Sequence, residues 1–273
     1  VTITLALIRD TFREAFARRI FWGFLGCCTA LLLFLTFIMG IDVVQGAVAT
    51  VTIFGRTGPS RDVQNLVLQT QSVIAMVLYF AGMALAVFAS AGLVSAVFEP
   101  GRIELLLSKP VSRTHLLLGR YAGNVLVIAA NIVYLVGGSW VIFGLKTGVW
   151  GWGFPLSSLC TIFIFAVLLA VLVLVGVLWD SAAVAIMTTF AIMIITPILA
   201  QKATLERLLD SESSRNVVRV LYYTLPKTSD ISVIIRHLIT NQPVDSWMPV
   251  WSTALFGCVV LALGLWRFQR RSF

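Results

Sequence analysis

Five ionisable residues fall within sixteen positions of the stretch FEPGRIELLLSKPVSR, Phe98–Arg113. They are two carboxylates, Glu99 and Glu104, and three cations, Arg102, Lys109 and Arg113. Such a cluster can do acid–base chemistry, hold an ion or dock onto a charged partner. No histidine or cysteine stands within the stretch to complete a metal site, and no nucleophile elbow accompanies it.

The rest of the chain excludes further chemistry. No GxxxxGK[ST] phosphate loop occurs, so the chain is not expected to hydrolyse ATP itself, and no HExxH cluster appears. His115 and His237 fall in different loops, expected on opposite sides of a membrane. Cys27, Cys28, Cys160 and Cys258 lie inside apolar runs without metal-ligand spacing and read as buried small hydrophobes. The FLGC box at Phe24–Cys27 resembles a lipoprotein cleavage site, but the apolar run continues to Ile41, so a retained span is expected. No catalytic, cofactor or metal residue is expected.

The elements that position the charged stretch are hydrophobic helices. The 273 residues are 59% hydrophobic and only 12% charged, with a mean hydropathy of +0.97. Soluble domains carry about 25% charged residues, which makes this an integral membrane protein. Spanning a hydrocarbon core takes about 20 apolar residues. Six segments free of Asp, Glu, Lys and Arg qualify, at 20–41, 71–98, 121–145, 156–179, 181–200 and 248–266. The fourth and fifth are separated only by WDS (Trp179–Ser181), which reads as a tight hairpin or else as a misjudged boundary. The expected fold is all-α and integral to the membrane, one membrane domain over 1–273.

An even number of spans puts both termini on one side. Lys and Arg total 20 against 12 Asp and Glu, and eleven of the 20 fall on the terminal side, the other nine being spread over longer loops. Charges near the span ends decide orientation, so both termini are expected in the cytoplasm. Retention of charge at that face accounts for the basic balance, and no nucleic-acid partner is expected.

In the segment 1–19, Leu5, Ile8, Phe12, Ala15 and Phe16 recur at helical spacing, with Arg9, Asp10, Arg13 and Glu14 on other faces. This predicts a basic amphipathic helix in the bilayer interface, Arg9, Phe12, Arg13 and Phe16 being its key residues. The alternative is a soluble extension of the first span. Between spans five and six, 201–247 is too long for a bare connection. There, TSD after Pro226 offers caps, and Ile231, Ile234, Ile235, Leu238 and Ile239 follow an i, i+3, i+4, i+7, i+8 pattern. Short helices folded back on the outer surface are expected, forming a lid, a docking platform for an extracytoplasmic partner, or a plain cap.

The six spans carry no ionisable residue at depth, which weighs against a self-energised secondary transporter. Gly119 and Gly123 form a GxxxG at the start of the third span, with Asn124 and Asn131 on one face and Gly137, Gly138 and Ser139 beyond. These read as helix-packing and interhelical hydrogen-bonding positions. Within the charged stretch, RIELLLSK can form one or two helical turns, ended by Pro110, with Ser112 capping the helix that follows. The expected product is a short stiff helix braced by two spans, able to transmit force.

The residues Glu99, Gly101, Glu104, Leu105, Leu106, Leu107, Pro110, Val111, Ser112 and Arg113, with LLLGR after them (Leu116–Arg120), resemble the hinge motif of permease subunits of type-2 ABC exporters. The amphipathic N-terminus, YYTLP (Tyr222–Pro226) and the basic end RFQRRSF (Arg267–Phe273) resemble the same family. Pro100 departs from the polar residue usual there. General similarity is nearest to permeases of nitrous-oxide-reductase maturation. The resemblance implies a bacterial-type inner-membrane protein that pairs with a second copy and binds two ATPase subunits. ATP and Mg would belong to those partners, with no cofactor on this chain. It also implies that segment 99–118, through Glu99, Gly101, Arg102, Glu104, Leu105, Leu106, Lys109, Pro110, Ser112 and Arg113, seats on the ATPases together with the N-terminal helix. Two other readings stay open. One is a non-transporting subunit relaying ATPase strokes to an outer partner through 201–247. The other is a channel or secondary transporter.

Overall fold

The computed structural model describes residues 9–11, 13–14, 16–17, 19–44, 48–53, 56–57, 61–95, 112–208 and 211–270. Its body is a bundle of long apolar helices. Among the described residues, five are long and apolar enough to cross a membrane, at Val63–Gly92, Arg113–Thr147, Gly153–Trp179, Ala182–Ala200 and Met248–Gln269, and a shorter apolar helix lies at Phe21–Phe37. The helical integral membrane architecture expected from hydropathy is therefore found, with one small sheet added to it.

The first apolar segment is α1 (Arg19–Leu33), closed by a π turn at Phe34–Ile38. Its helical stretch stops three residues short of the expected Ile41, because Met39–Val44 forms a strand, β1. It pairs antiparallel with β2 (Val48–Ile53), whose ends also pair with β3 (Arg56–Thr57) and β4 (Arg61–Asp62). This small sheet, absent from the sequence reading, is built from residues rich in Val, Ile and Thr, which favour strands.

Asp62 accepts a hydrogen bond from the Asn65 amide and so starts α2 (Val63–Val77). A π turn at Leu78–Gly82 leads into α3 (Met83–Ser95). The long α4 (Arg113–Thr147) ends on Gly148, whose φ of 75° lies in the left-handed region that glycine adopts without strain. Then come α5 (Gly153–Trp179) and α6 (Ala182–Ala200). Their connection is the expected hairpin: Asp180 takes φ 53°, and the Ser181 side chain caps α6 by accepting from the Val184 amide. Pro197 lies within α6 without ending it. α7 (Lys202–Leu208), α8 (Glu212–Thr224) and α9 (Thr228–Ile239) follow, and α10 (Met248–Gln269) closes the chain.

α5 is apolar on all sides and lies at the centre, packed against α3, α4, α6, α9 and α10. Phe165, Leu168, Leu169 and Leu172 are fully buried in it. The outer helices turn large apolar side chains outward, including Phe37, Met187, Ile194 and Leu255. So broad an apolar exterior belongs in lipid. The eight tryptophans mark the two ends of the bundle. Trp22, Trp179 and Trp266 lie at one end, and Trp140, Trp150, Trp152, Trp247 and Trp251 at the other, as interfacial belts do. We refer to these as the Ser112 end and the Lys227 end.

The helices of 201–247 divide in behaviour. α8 has no buried residue. α9 does not lie on the outer surface, as expected from its period, but enters the bundle between α2, α5, α6 and α10. Ile231, Ile234, Ile235 and Ile239 are all buried. An apolar face this wide is better covered by helices than by a bilayer surface.

Candidate functional site

Most of the charged stretch, including Glu99, Gly101, Arg102, Glu104, Leu105, Leu106, Lys109 and Pro110, lies outside the described residues, as does Phe12. The structure does describe what receives that stretch. Ser112 has extended backbone, φ −68° and ψ 146°, and its Oγ accepts from the His115 amide at 3.3 Å. The expected cap therefore forms, and Arg113 is the first residue of α4. From there α4 runs unbroken for 35 residues, about 50 Å at 1.5 Å per residue. Whatever displaces Ser112 acts on a helix that reaches the opposite end of the bundle.

The N-terminal segment is helical at its described residues and docks beside this point. Among its described residues, Asp10, Thr11 and Glu14 meet the protein. Thr11 is fully buried, while Arg9 and Arg13 are exposed and Phe16 is 47% exposed. Phe16 stacks edge-on with Phe21 at 4.8 Å between centroids, and its carbonyl accepts from Trp22 Nε1 at 2.8 Å. The helix thus leaves Phe16 at an aromatic cluster where α1 begins.

Arg120 holds the contact. It is 5% exposed, and its guanidinium pairs with Glu14 and, at 3.1 Å, with Asp10. Asp10 and Glu14 are four residues apart, one helical turn, so both carboxylates reach one fork. The GxxxG at Gly119 and Gly123 supplies the close approach. A Cβ at Gly123 would stand 2.7 Å from the Thr11 Cβ. The close packing expected of the motif is found at Gly123, where the approaching helix is the N-terminal one. Gln269, at the end of α10, donates to Thr114 Oγ1 at 2.6 Å, and the Arg270 guanidinium lies 4.4 Å from the Trp266 ring centroid. The Ser112 end therefore gathers the N-terminal helix, the start of α4 and the basic end of α10. Of the expected residues the structure unites Ser112, Arg113, Arg9, Arg13 and Phe16 at this end. It adds Asp10, Thr11, Glu14 and Arg120, which sequence reading did not single out as a group.

Deeper in the bundle, Ser90 donates to Asn124 Oδ1 at 3.1 Å, tying α3 to α4, and Asn131 donates to the Val127 carbonyl. Asn124 thus makes the interhelical bond expected of it, while the Asn131 bond stays within its own helix.

At the Lys227 end the start of α9 is pinned from three sides. Tyr79 donates to the Thr228 carbonyl at 2.6 Å, the Thr196 and Thr228 hydroxyls bond at 2.6 Å, and the Lys227 amide donates to Thr253 Oγ1 at 3.0 Å. Lys227 is buried, with Nζ 3.2 Å from Ser252 Oγ and 5.1 Å from the Tyr222 ring centroid. Burial pushes its pKa down and nearby Lys202 adds to this, against the opposing effect of Asp230. Tyr222 donates to Asp230 Oδ2 at 2.9 Å. Burial first, and then that hydrogen bond and the Asp230 charge, push the phenol up to about 12. The result is an interlocked closure, and no group of His, Cys, Asp and Glu among the described residues could hold a metal ion.

No curated protein matches the chain significantly. The model of the ABC-2 family transporter proteins matches residues 5–273. It covers the N-terminal helix, the charged stretch and every spanning helix alike, and the chain belongs to the ABC-2 family of transporter proteins.

Proposed function

We propose that this chain is the permease subunit of an ATP-driven exporter, worked by two separate ATPase subunits and completed by a second copy of itself. The observation that carries the reading is the Ser112 end. A helix ion-paired to α4 stands beside the point where the charged stretch enters that same helix. Glu99, Gly101, Arg102, Glu104, Leu105, Leu106, Lys109, Pro110, Ser112 and Arg113 would form the ATPase contact, flanked by Arg9, Phe12, Arg13 and Phe16. The exposed cations Arg9, Arg13 and Arg270 at that end favour a cytoplasmic orientation in an inner membrane. ATP and Mg belong to the partner subunits. Energy from outside also agrees with spans whose middle thirds hold no Asp, Glu, Lys or Arg.

The test is purification of the tagged chain from its native membrane. An ATPase is expected to copurify, and Glu104→Lys or Arg113→Glu is expected to separate hydrolysis from transport. Transport by the isolated chain on an ion gradient alone would overturn the reading.

A second reading is favoured by one observation. α8 exposes Val217, Val220, Leu221 and Tyr223 at the Lys227 end. In this reading the chain relays ATPase strokes to an extracytoplasmic partner through 201–247, as the likeness to nitrous-oxide-reductase maturation permeases would have it. Val217→Asp with Val220→Asp should then abolish partner binding while the ATPase still assembles.

A further inference from the structure

α1 and α4 touch at three levels, each through named atoms. At the Ser112 end, the helix leading into α1 is held to α4 by Arg120 with Asp10 and Glu14, and by the seat of Thr11 on Gly123. Midway, Thr29 Oγ1 and Tyr134 Oη bond at 3.2 Å. In the next turns Leu32 fills the space beside Gly138, where a Cβ would meet its Cδ1 at 2.8 Å. At the Lys227 end, Lys146 Nζ donates to the Leu35 and Thr36 carbonyls, both at 2.8 Å. A π turn leaves carbonyls there without their usual helical partners, and an ammonium is a fitting cap.

We propose that the N-terminal helix, α1 and α4 move as one body, and that Arg120 and Lys146 are the positioning residues that make them one. The two cations do this from opposite ends. A buried guanidinium is tolerated only with its counter-charges in place, so separating the N-terminal helix from α4 would strand Arg120. Sliding α1 along α4 would break the two Lys146 bonds and drive Leu32 into Gly138. Neither tie is apolar, so neither can be exchanged for another packing at little cost, as a smooth helix–helix contact can. A stroke delivered to the charged stretch or to the N-terminal helix would then reach the far end of both spans together. α6, which packs chiefly on α3, α5 and α9, is the helix they move against.

This inference rests on the permease reading, and the experiment separates the two. Spin labels are placed, in a chain whose four cysteines are replaced by alanine, at three exposed pairs: Ala17 with Leu126, Phe37 with Leu145, and Leu145 with Ile198 on α6. Distances are measured in the purified permease–ATPase complex with and without ATP. The first two pairs are expected to give one narrow distance each, unchanged by nucleotide, while the third shifts. Arg120→Gln should broaden the first pair and Lys146→Gln the second. Arg120→Lys should restore the first in part. If Arg120→Gln does not fold, Asp10→Asn with Glu14→Gln serves in its place and should broaden the same pair. A nucleotide-dependent shift of either of the first two pairs, or narrow distances in the variants, overturns the single body. A third pair that never shifts, with the first two behaving as expected, counts against the permease reading and leaves the tie intact.

Discussion

The two ends of the bundle are held together by different physics. At the Ser112 end the N-terminal helix is fixed by charge, with Arg120 between Asp10 and Glu14 and a glycine contact beside it. At the Lys227 end an apolar helix, α9, is driven into the bundle and pinned by hydroxyls. A charged tie is specific and breaks all at once. An apolar insertion is strong but yields by degrees, since its free energy follows the area still covered. The Ser112 end should therefore give way all at once when its charges are removed, and the Lys227 end in proportion to the apolar area lost.

The largest effect should come from breaking the charged tie. Arg120→Gln leaves Glu14 without its main partner, and loss of one member of a buried pair costs roughly 3–5 kcal/mol. Thermal unfolding in detergent should show a marked fall, and Glu14→Gln should be worse than Asp10→Asn, because Asp10 is more than half exposed. Next comes the apolar end, where neighbouring helices give an internal control. Ile235→Ala in α9 should cost about 3 kcal/mol, as large-to-small core changes do. Val220→Ala in exposed α8 should stay within about 0.5 kcal/mol. Equal effects would mean that α9 is not the inserted element.

Gly123→Ala tests the seat rather than the charge. The added methyl must displace Thr11, at about 1–3 kcal/mol. Proteolysis at the N-terminus should quicken while α9 stays protected. The smallest effect is one of pH. The Tyr222 phenol is held protonated by burial and by Asp230, with its pKa raised from 10.0 to about 12. A raised folded-state value contributes stability that is full below pH 10 and lost as pH rises through about 12. Ultraviolet titration should find late tyrosine ionisation whose amplitude Tyr222→Phe lowers by one group.

Much of the fold was legible because hydropathy, caps and period are local signals. Ser181 and Asp180 announced their hairpin, and Ser112 its cap. The period of Ile231–Ile239 gave the apolar face of α9 but not what covers it, so a surface helix was expected where an inserted one is found. The strands of 39–62 were hidden because Met39–Ile41 continues the apolar run of α1, and hydropathy does not separate helix from strand. The Arg120 tie was illegible for another reason. Its partners stand 106 and 110 residues away in the chain, and nothing local to LLLGR shows that its arginine turns inward. GxxxG at Gly119 and Gly123 was visible, but a motif for close approach does not say which helix approaches.

The central claim is that a separate ATPase is received at the Ser112 end. Its most direct test is photo-cross-linking of the copurified complex from single cysteines at Ala17 and at Val217, both exposed. Cross-links to the ATPase from Ala17 and none from Val217 are predicted. An ATPase captured from Val217, or one that copurifies yet never cross-links from Ala17, would contradict it.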